Sequence, residues 1–257
     1  MLPISVFIIT KNEADRIAQV INAAKKIANE ILVIDSGSND ETCKIAAGAG
    51  AKVLFNKWQG YGQQKKFGES KCINKWILNI DADEEISPEL EAEIKEIFSQ
   101  RISKNVAGFR VKIVNKFRFE TQPQKWAYYY NQLRLYNKDL AGFKNSSVHD
   151  SVEVRSAKCE ILQLKNIIFH QSFRSYSHWI EKLNSYSQMQ AQDSFAKGKN
   201  PSLLKVFLTP LFTFFKAYFV RRYFIYGFNG IIFSSLFAFS RFAKAIKTRE
   251  LFREKKC

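Results

Sequence analysis

Residues 75–85 read KWILNIDADEE, and this stretch decides the fold. Trp76, Ile77, Leu78 and Ile80 form the short apolar run expected of a strand buried on both faces, which is the habit of parallel sheets. The run stops at Asp81, Ala82, Asp83, Glu84 and Glu85, so an apolar core gives way to a knot of carboxylates. If the extended backbone persists, Asp81 and Asp83 share one face at the carboxyl end of the strand, where open α/β sheets bind ligands. Neighbouring carboxylates repel unless a cation lies between them, and oxygen donors suit Mg²⁺ or Mn²⁺ with substrate phosphates. Two readings follow, a metal–diphosphate site or an acidic turn. The turn would lead into a helix capped by Ser87, with Pro88 at its first position and Glu89 in its first turn.

Working outward, ISVFII (4–9) predicts a first buried strand and Asn12 a cap, with Ile17, Val20, Ile21, Ala24 and Ala28 at helical spacing. Residues 30–35 predict a second strand, SGSND (36–40) a turn, residues 41–47 a short helix, and residues 52–55 a third strand. Gly60-Tyr61-Gly62 opens a helix over roughly 63–72, and residues 75–80 form the fourth strand. Strands alternating with helices at this pitch imply a parallel, Rossmann-like α/β sheet. Three strand ends, at Thr10 to Glu13, at Asp35 to Ser38 and at Asp81 to Asp83, then converge on one cleft. Taken singly, Asp35 reads as a turn-forming residue and Glu13 as a first-turn helix residue.

The ordered series ISVFIITKNEADRI (4–17), ILVIDSGSNDET (31–42), WQGYGQQKKF (58–67) and WILNIDADEEISPEL (76–90) resembles the family 2 glycosyltransferases of GT-A fold. It is most similar to the subgroup that adds glucose to the inner core of lipopolysaccharide. The resemblance implies an α/β GT-A domain over residues 1–200, with a donor half (1–100) and an acceptor half (101–200). It also implies a nucleotide-sugar donor, UDP-glucose, and a divalent cation, Mg²⁺ or Mn²⁺. By position, Thr10 and Glu13 match residues that close over the nucleoside, and Asp35 the carboxylate that contacts uracil or ribose, with Asp40 in the same acidic turn. Asp81 matches the residue facing ribose and metal, and Asp83 the direct metal ligand. Gln64 and Lys65 stand where a polar–basic pair lies near the diphosphate, and a helix start beside Gly60 and Gly62 suits an anion on physical grounds too.

Past residue 100, GFRVKI (108–113) and QLRLY (132–136) alternate apolar with basic or polar residues, as half-exposed strands do; they should extend the sheet and wall an acceptor side that includes Arg134. The aromatic run at 126–130 suits packing on the sheet more than stacking on sugars. Inverting transfer needs a base for the acceptor hydroxyl. The resemblance puts it at Asp150, beside His149, where the subgroup usually carries His-Glu. His170 ends another apolar strand; it reads as a hydrogen-bonded structural histidine or, by the resemblance, as a ligand of the metal or diphosphate. Helical spacing runs on from 176 to 197.

Residues 201–257 differ in kind. From Lys197 onward there are 13 Lys/Arg against 2 Glu, and 12 of the 23 Phe. Long apolar runs precede the terminal cluster of positive charge. A nucleic-acid binder would interleave charge and exposed aromatics, whereas this separation suits helices lying in an anionic membrane interface or dipping in as a shallow hairpin. Packing on the catalytic domain or in a dimer is the structural alternative. Cys43, Cys72, Cys159 and Cys257 are widely spaced without a Cys-x-x-Cys pair, which fits neither a disulfide framework nor a zinc cluster. The opening MLPIS lacks the marks of an export signal. The sequence therefore leads us to expect an enzyme on the cytoplasmic side of the inner membrane. It would act on a lipopolysaccharide core or another lipid-linked acceptor, such as a polyprenyl phosphate or a capsule precursor.

Overall fold

The computed structural model describes residues 1–117, 120–144 and 151–255. Two compact units divide the chain: Met1–Val114 with Tyr129–His170, and Asn115–Tyr128 with Gln171–Cys257. The second unit thus takes in residues 115–128 and 171–200 together with 201–257.

The first unit opens with β1 (Leu2–Thr10), α1 (Ile17–Lys25), β2 (Ala28–Asp35), α2 (Thr42–Gly48), β3 (Lys52–Phe55), α3 (Tyr61–Lys71) and β4 (Trp76–Asp81). A short β5 (Glu84–Ile86) and α4 (Pro88–Ser99) follow, then β6 (Val106–Asn115), β7 (Tyr129–Asn137), β8 (Ala141–Phe143), β9 (Val152–Val154) and β10 (Glu160–His170). Eight strands form one sheet in the order β3-β2-β1-β4-β7-β6-β10-β5, while β8 and β9 pair separately. β1 pairs in parallel with β2 and β4, and β2 with β3. β7 reverses the direction, running antiparallel to β4 and β6. The donor half is the parallel half, as expected, and the strands beyond it make the sheet mixed.

Alternation along β1 explains why helices cover both faces. Ile4, Val6 and Ile8 pack with Ile17, Ile21 and Ala24 of α1 in one cluster, while Phe7 and Ile9 join Tyr136 and Phe143 in another. Each such side chain, fully withdrawn from water, contributes about 1.5–3 kcal/mol. α3 approaches β1 closely because Gly68 lacks a side chain; a Cβ there would lie 2.6 Å from Phe7 Cδ2.

Two local expectations change. Asn12 does not cap α1; it adopts a left-handed φ of 56° and its Oδ1 accepts from the Asn39 amide at 2.9 Å, while the helix begins at Ile17. Ala28 belongs to β2 and not to the helix. The cap at Ser87 stands as read: its hydroxyl accepts from the Leu90 amide at 3.1 Å, with Pro88 first in α4.

The second unit holds α5 (Tyr176–Ala196), α6 (Leu203–Phe215), a π-helical turn at Lys216–Val220, a 3₁₀ turn at Tyr223–Tyr226, and α7 (Phe228–Glu254). An aromatic cluster binds it, with Phe117 stacked on Phe233 at 3.9 Å between ring centroids and Phe173 on Trp179 at the same separation. Lys247 of α7 holds α5 by bonds to Asn184 Oδ1 (2.7 Å) and Ser187 Oγ (2.9 Å).

Candidate active site

The strand order puts the cleft where the physics of open sheets places it. The chain winds outward from β1 to β3 and returns to β4 on the other side of β1, so the carboxyl ends of β1 and β4 flank a topological switch point. In register, Thr10 lies opposite Asp35 and Ile9 opposite Asp81. The three polar strand ends therefore adjoin one another.

Asp35 is buried and turns its carboxylate onto its own loop. Oδ2 accepts from the amides of Gly37 (2.8 Å) and Ser38 (2.9 Å), and Oδ1 from the Ser38 hydroxyl. Gly37 supplies the positive φ of 101° this turn requires. Asp40 does the same for the start of α2. It accepts from the Thr42 amide (3.0 Å) and hydroxyl and from the Ala14 amide (3.3 Å). Burial raises the Asp40 carboxyl, but those hydrogen bonds outweigh it and hold it below the ordinary carboxylate range. Thr42 Oγ1 accepts in turn from the Glu13 amide at 2.8 Å, and the Glu13 carboxylate holds Arg16. Thr10 is buried, and its hydroxyl oxygen has no hydrogen-bond partner among the described residues. An orphaned buried hydroxyl at a cleft is a group awaiting a ligand or water.

Gln64 and Lys65 lie side by side on α3 yet do different work. Gln64 Oε1 accepts from Asn56 Nδ2 at 2.8 Å, tying down the loop after β3. Lys65, 1% exposed, reaches Asp81 Oδ1 at 3.1 Å. From β7, buried Arg134 places Nη2 3.3 Å from Asp81 Oδ2 and 2.6 Å from Glu84 Oε1, with Nη1 2.7 Å from Asn79 Oδ1. The sequence placed Arg134 on the acceptor side. Antiparallel pairing of Leu135 with Leu78 brings it to the carboxylates after β4. Glu84 stood in the carboxylate cluster read from the sequence, but its bond to Arg134 and the part of Asn79 were missed, and only the β4–β7 pairing could have exposed them.

Burial opposes ionisation of Asp81, but the charges of Lys65 and Arg134 prevail and hold its carboxyl below the usual range. For Glu84 burial prevails over Arg134, and its carboxyl sits above that range. Two neighbouring carboxylates are thus pushed in opposite senses by their surroundings, an arrangement that clusters at functional sites and also occurs in structural ion-pair networks.

Asp81 and Asp83 do not share an extended strand: β4 ends at Asp81, and Ala82 and Asp83 form a turn, closed by the bond from the Asp81 amide to Glu84 Oε2 (2.9 Å). The turn redirects Asp83. β5 pairs with β10 so that His170 lies opposite Glu84, and His170 Nε2 comes within 3.4 Å of Asp83 Oδ2. Among the described residues no three His, Cys, Asp or Glu side chains gather as a closed metal site. The Asp83 carboxylate nevertheless offers the kind of oxygen donor that Mg²⁺ or Mn²⁺ takes, since both keep waters and complete their shell with substrate phosphates. Asp81 is already matched by two cations, Lys65 and Arg134. His149 and Asp150 lie outside the described residues.

The profile of glycosyl transferase family 2 matches residues 5–159, more than half of the chain and the whole set of strand ends described above. The chain belongs to glycosyl transferase family 2. It is an enzyme of the glycosyltransferase class, and the sheet just described is its GT-A fold. Among relatives of this family 2 transferase, an uncharacterized glycosyltransferase of Rickettsia bellii is 45% identical over 255 residues, covering 96% of this chain and 86% of its own. The lipopolysaccharide core biosynthesis glycosyltransferase LpsC of Rhizobium meliloti is 28% identical over 250 residues, covering 90% of this chain and 86% of its own. Among solved structures, the mannosyl-3-phosphoglycerate synthase of Rubrobacter xylanophilus matches with a TM-score of 0.37 and 23% identity, over 49% of this chain and 44% of its own.

Proposed function

We propose that this family 2 enzyme moves a hexose, glucose from UDP-glucose, onto a lipid-linked saccharide of the lipopolysaccharide core, inverting the anomeric centre. The observation that carries the reading is the switch-point cleft. There an orphaned Thr10 hydroxyl, the Asp35 turn and the Asp83–His170 pair border the ends of three adjacent strands. The core saccharide as acceptor draws support from LpsC, whose likeness extends over nine-tenths of this chain.

In this reading Thr10, Glu13 and Asp35 seat the nucleoside, with Asp40 fixing their loop. Asp83 and His170 would hold Mg²⁺ or Mn²⁺, whose charge compensates the diphosphate of the departing nucleotide. Lys65 and Arg134 hold Asp81 ionised and immobile beside the donor, a preorganised charge that need not rearrange during reaction. Asp150, by its place in the resembled motif, takes the proton of the acceptor hydroxyl. The hydroxyl oxygen bonds to the anomeric carbon from the side opposite the diphosphate, and the anomeric carbon–oxygen bond breaks with its electron pair going to UDP. No covalent sugar–enzyme species is required.

Membrane association belongs to the same reading. Leu203–Val220 is 18 residues with mean hydropathy 1.5 and only 11% of it buried, long and apolar enough to cross a membrane by length and composition. Outward-facing Leu, Phe and Val on this helix, followed by the positive charge of α7, suit the inner leaflet on the cytoplasmic side. Mass spectrometry of the lipid core from a strain lacking the protein tests the function. Loss of one hexose is the expected result, and an unchanged core would refute the assigned acceptor.

A further inference from the structure

The second unit contains a basic cavity that the transfer chemistry does not use. It occupies about 580 Å³ where the end of α5, the start of α6 and the middle of α7 meet, and four cations line it: Lys199, Lys205, Arg241 and Lys244. No carboxylate lines it among the described residues. The adjacent acid, Asp193, is held by Lys197 at 2.8 Å. Burial and then the charge of Arg241 push the Lys244 ammonium below the ordinary lysine range, against the opposing pull of Asp193. Positive groups are thus gathered at a cost that Asp193 offsets only in part, and an anion would relieve the rest.

The cations stand on fixed backbone. Gly198, at a φ of 67°, ends α5 in a turn whose Lys199 amide donates to Ser194 O at 2.9 Å, which sets the position of Lys199. Arg249 Nη1 pins Pro201 O at 2.6 Å, and the Ser202 hydroxyl caps α6 by accepting from the Lys205 amide at 3.3 Å. Arg241 is steadied by a bond to Gln190 Oε1 at 3.2 Å.

What distinguishes a lipid from a free anion is the other flank of α6. Lys205 and Thr209 line the cavity, while Leu204, Phe207, Leu211 and Phe212 on the same helix are 68%, 66%, 57% and 70% exposed. These recur at helical spacing and form one apolar stripe beside the cation cluster. A ligand meeting both needs a phosphate head and hydrocarbon next to it. Resting on the membrane reading of α6 above, we propose that Lys199, Lys205, Arg241 and Lys244 form a discrete pocket for a phosphate monoester at the head of a membrane lipid. The protein thereby docks on particular lipids and not on negative charge in general.

Co-sedimentation of the full-length protein with vesicles of three compositions tests this: phosphatidylcholine alone, and phosphatidylcholine carrying phosphatidic acid or phosphatidylglycerol at matched surface charge. The wild type should prefer phosphatidic acid, and Lys205→Gln/Lys244→Gln should lose that preference with a fall in affinity of about tenfold or more. Arg253→Gln/Lys255→Gln, which removes the same charge from the end of α7, should keep it. Lys199→Gln, at an exposed loop position, repeats the test if the double variant fails to fold. Equal losses in both double variants with no headgroup preference would overturn the pocket in favour of diffuse attraction. Calorimetric binding of inorganic phosphate as tight as that of phosphatidic acid vesicles would overturn the lipid source. Absence of binding to every vesicle would overturn the pocket and the membrane reading together, while UDP binding by the same preparation reports separately on the transferase reading.

Discussion

Arg134 Nη2 lies 2.6 Å from Glu84 Oε1, with both side chains no more than 5% exposed. The pair joins β7 to the turn after β4, and so fixes the ground on which Asp81 and Asp83 stand. A buried ion pair adds little net stability over an apolar pair, but removing one partner strands a charge. Arg134→Gln should therefore cost about 3–5 kcal/mol in chemical denaturation. The loss should depend on pH. The Glu84 carboxyl is already raised by burial, and without Arg134 it rises further, while Asp81 loses one of the charges that lower it. A raised folded-state pKa contributes stability below the unfolded value and loses it as pH rises. The deficit against wild type should widen toward neutral pH and narrow as pH falls into the carboxylate range. A deficit that does not vary with pH would contradict this placement of charge.

Gly68→Ala probes the packing of α3 on β1. The new Cβ would meet the fully buried ring of Phe7 at 2.6 Å, in a packed core where that ring has little room to move. Overpacking of this kind costs about 1–3 kcal/mol, and thermal unfolding should report it. Phe7→Leu in the same background should recover part of the loss, which a purely local helix effect would not allow.

The outward aromatics of α6 make the membrane reading testable apart from the cation pocket. Phe207→Asp/Phe212→Asp should abolish recovery with membranes while leaving the melting temperature nearly unchanged, because both rings face solvent. Retained membrane binding would move the attachment elsewhere in the chain.

Asp150→Asn should lower turnover by about 10² or more with UDP affinity preserved, as loss of a general base does. Steady-state kinetics beside calorimetry separates the two. Turnover that survives would exclude Asp150 as the base.

Much of the donor half was legible because it rests on local signals. Apolar runs ending in polar residues marked β1, β2 and β4, residues 52–55 matched β3, and Ser87-Pro88 marked the start of α4. Pairing across long separations was not. The turn at Ala82–Asp83 looks extended until β5 is seen to pair with β10, so that Asp83 meets His170 from 87 positions away along the chain. Arg134, flanked by Leu133 and Leu135, reads as an outward strand residue, but β4 beside it supplies Asn79, Asp81 and Glu84 and turns the position into a buried one. Nor does the composition of the last quarter announce that α7 runs unbroken through 27 residues, from the apolar stretch into the basic end, and is tied to α5.

In the proposed function, the cleft at the ends of β1, β2 and β4 holds a nucleotide diphosphate with a divalent cation on Asp83. Titration calorimetry of UDP into the full-length protein, with and without Mn²⁺, in wild type and Asp83→Ala, tests it most directly. The wild type should bind UDP with an affinity that rises at least about tenfold on adding Mn²⁺, and Asp83→Ala should lose that dependence, since an unshielded diphosphate in a site of low dielectric is poorly held. Unchanged Mn²⁺-dependent affinity in Asp83→Ala would show that the cation is not held by Asp83.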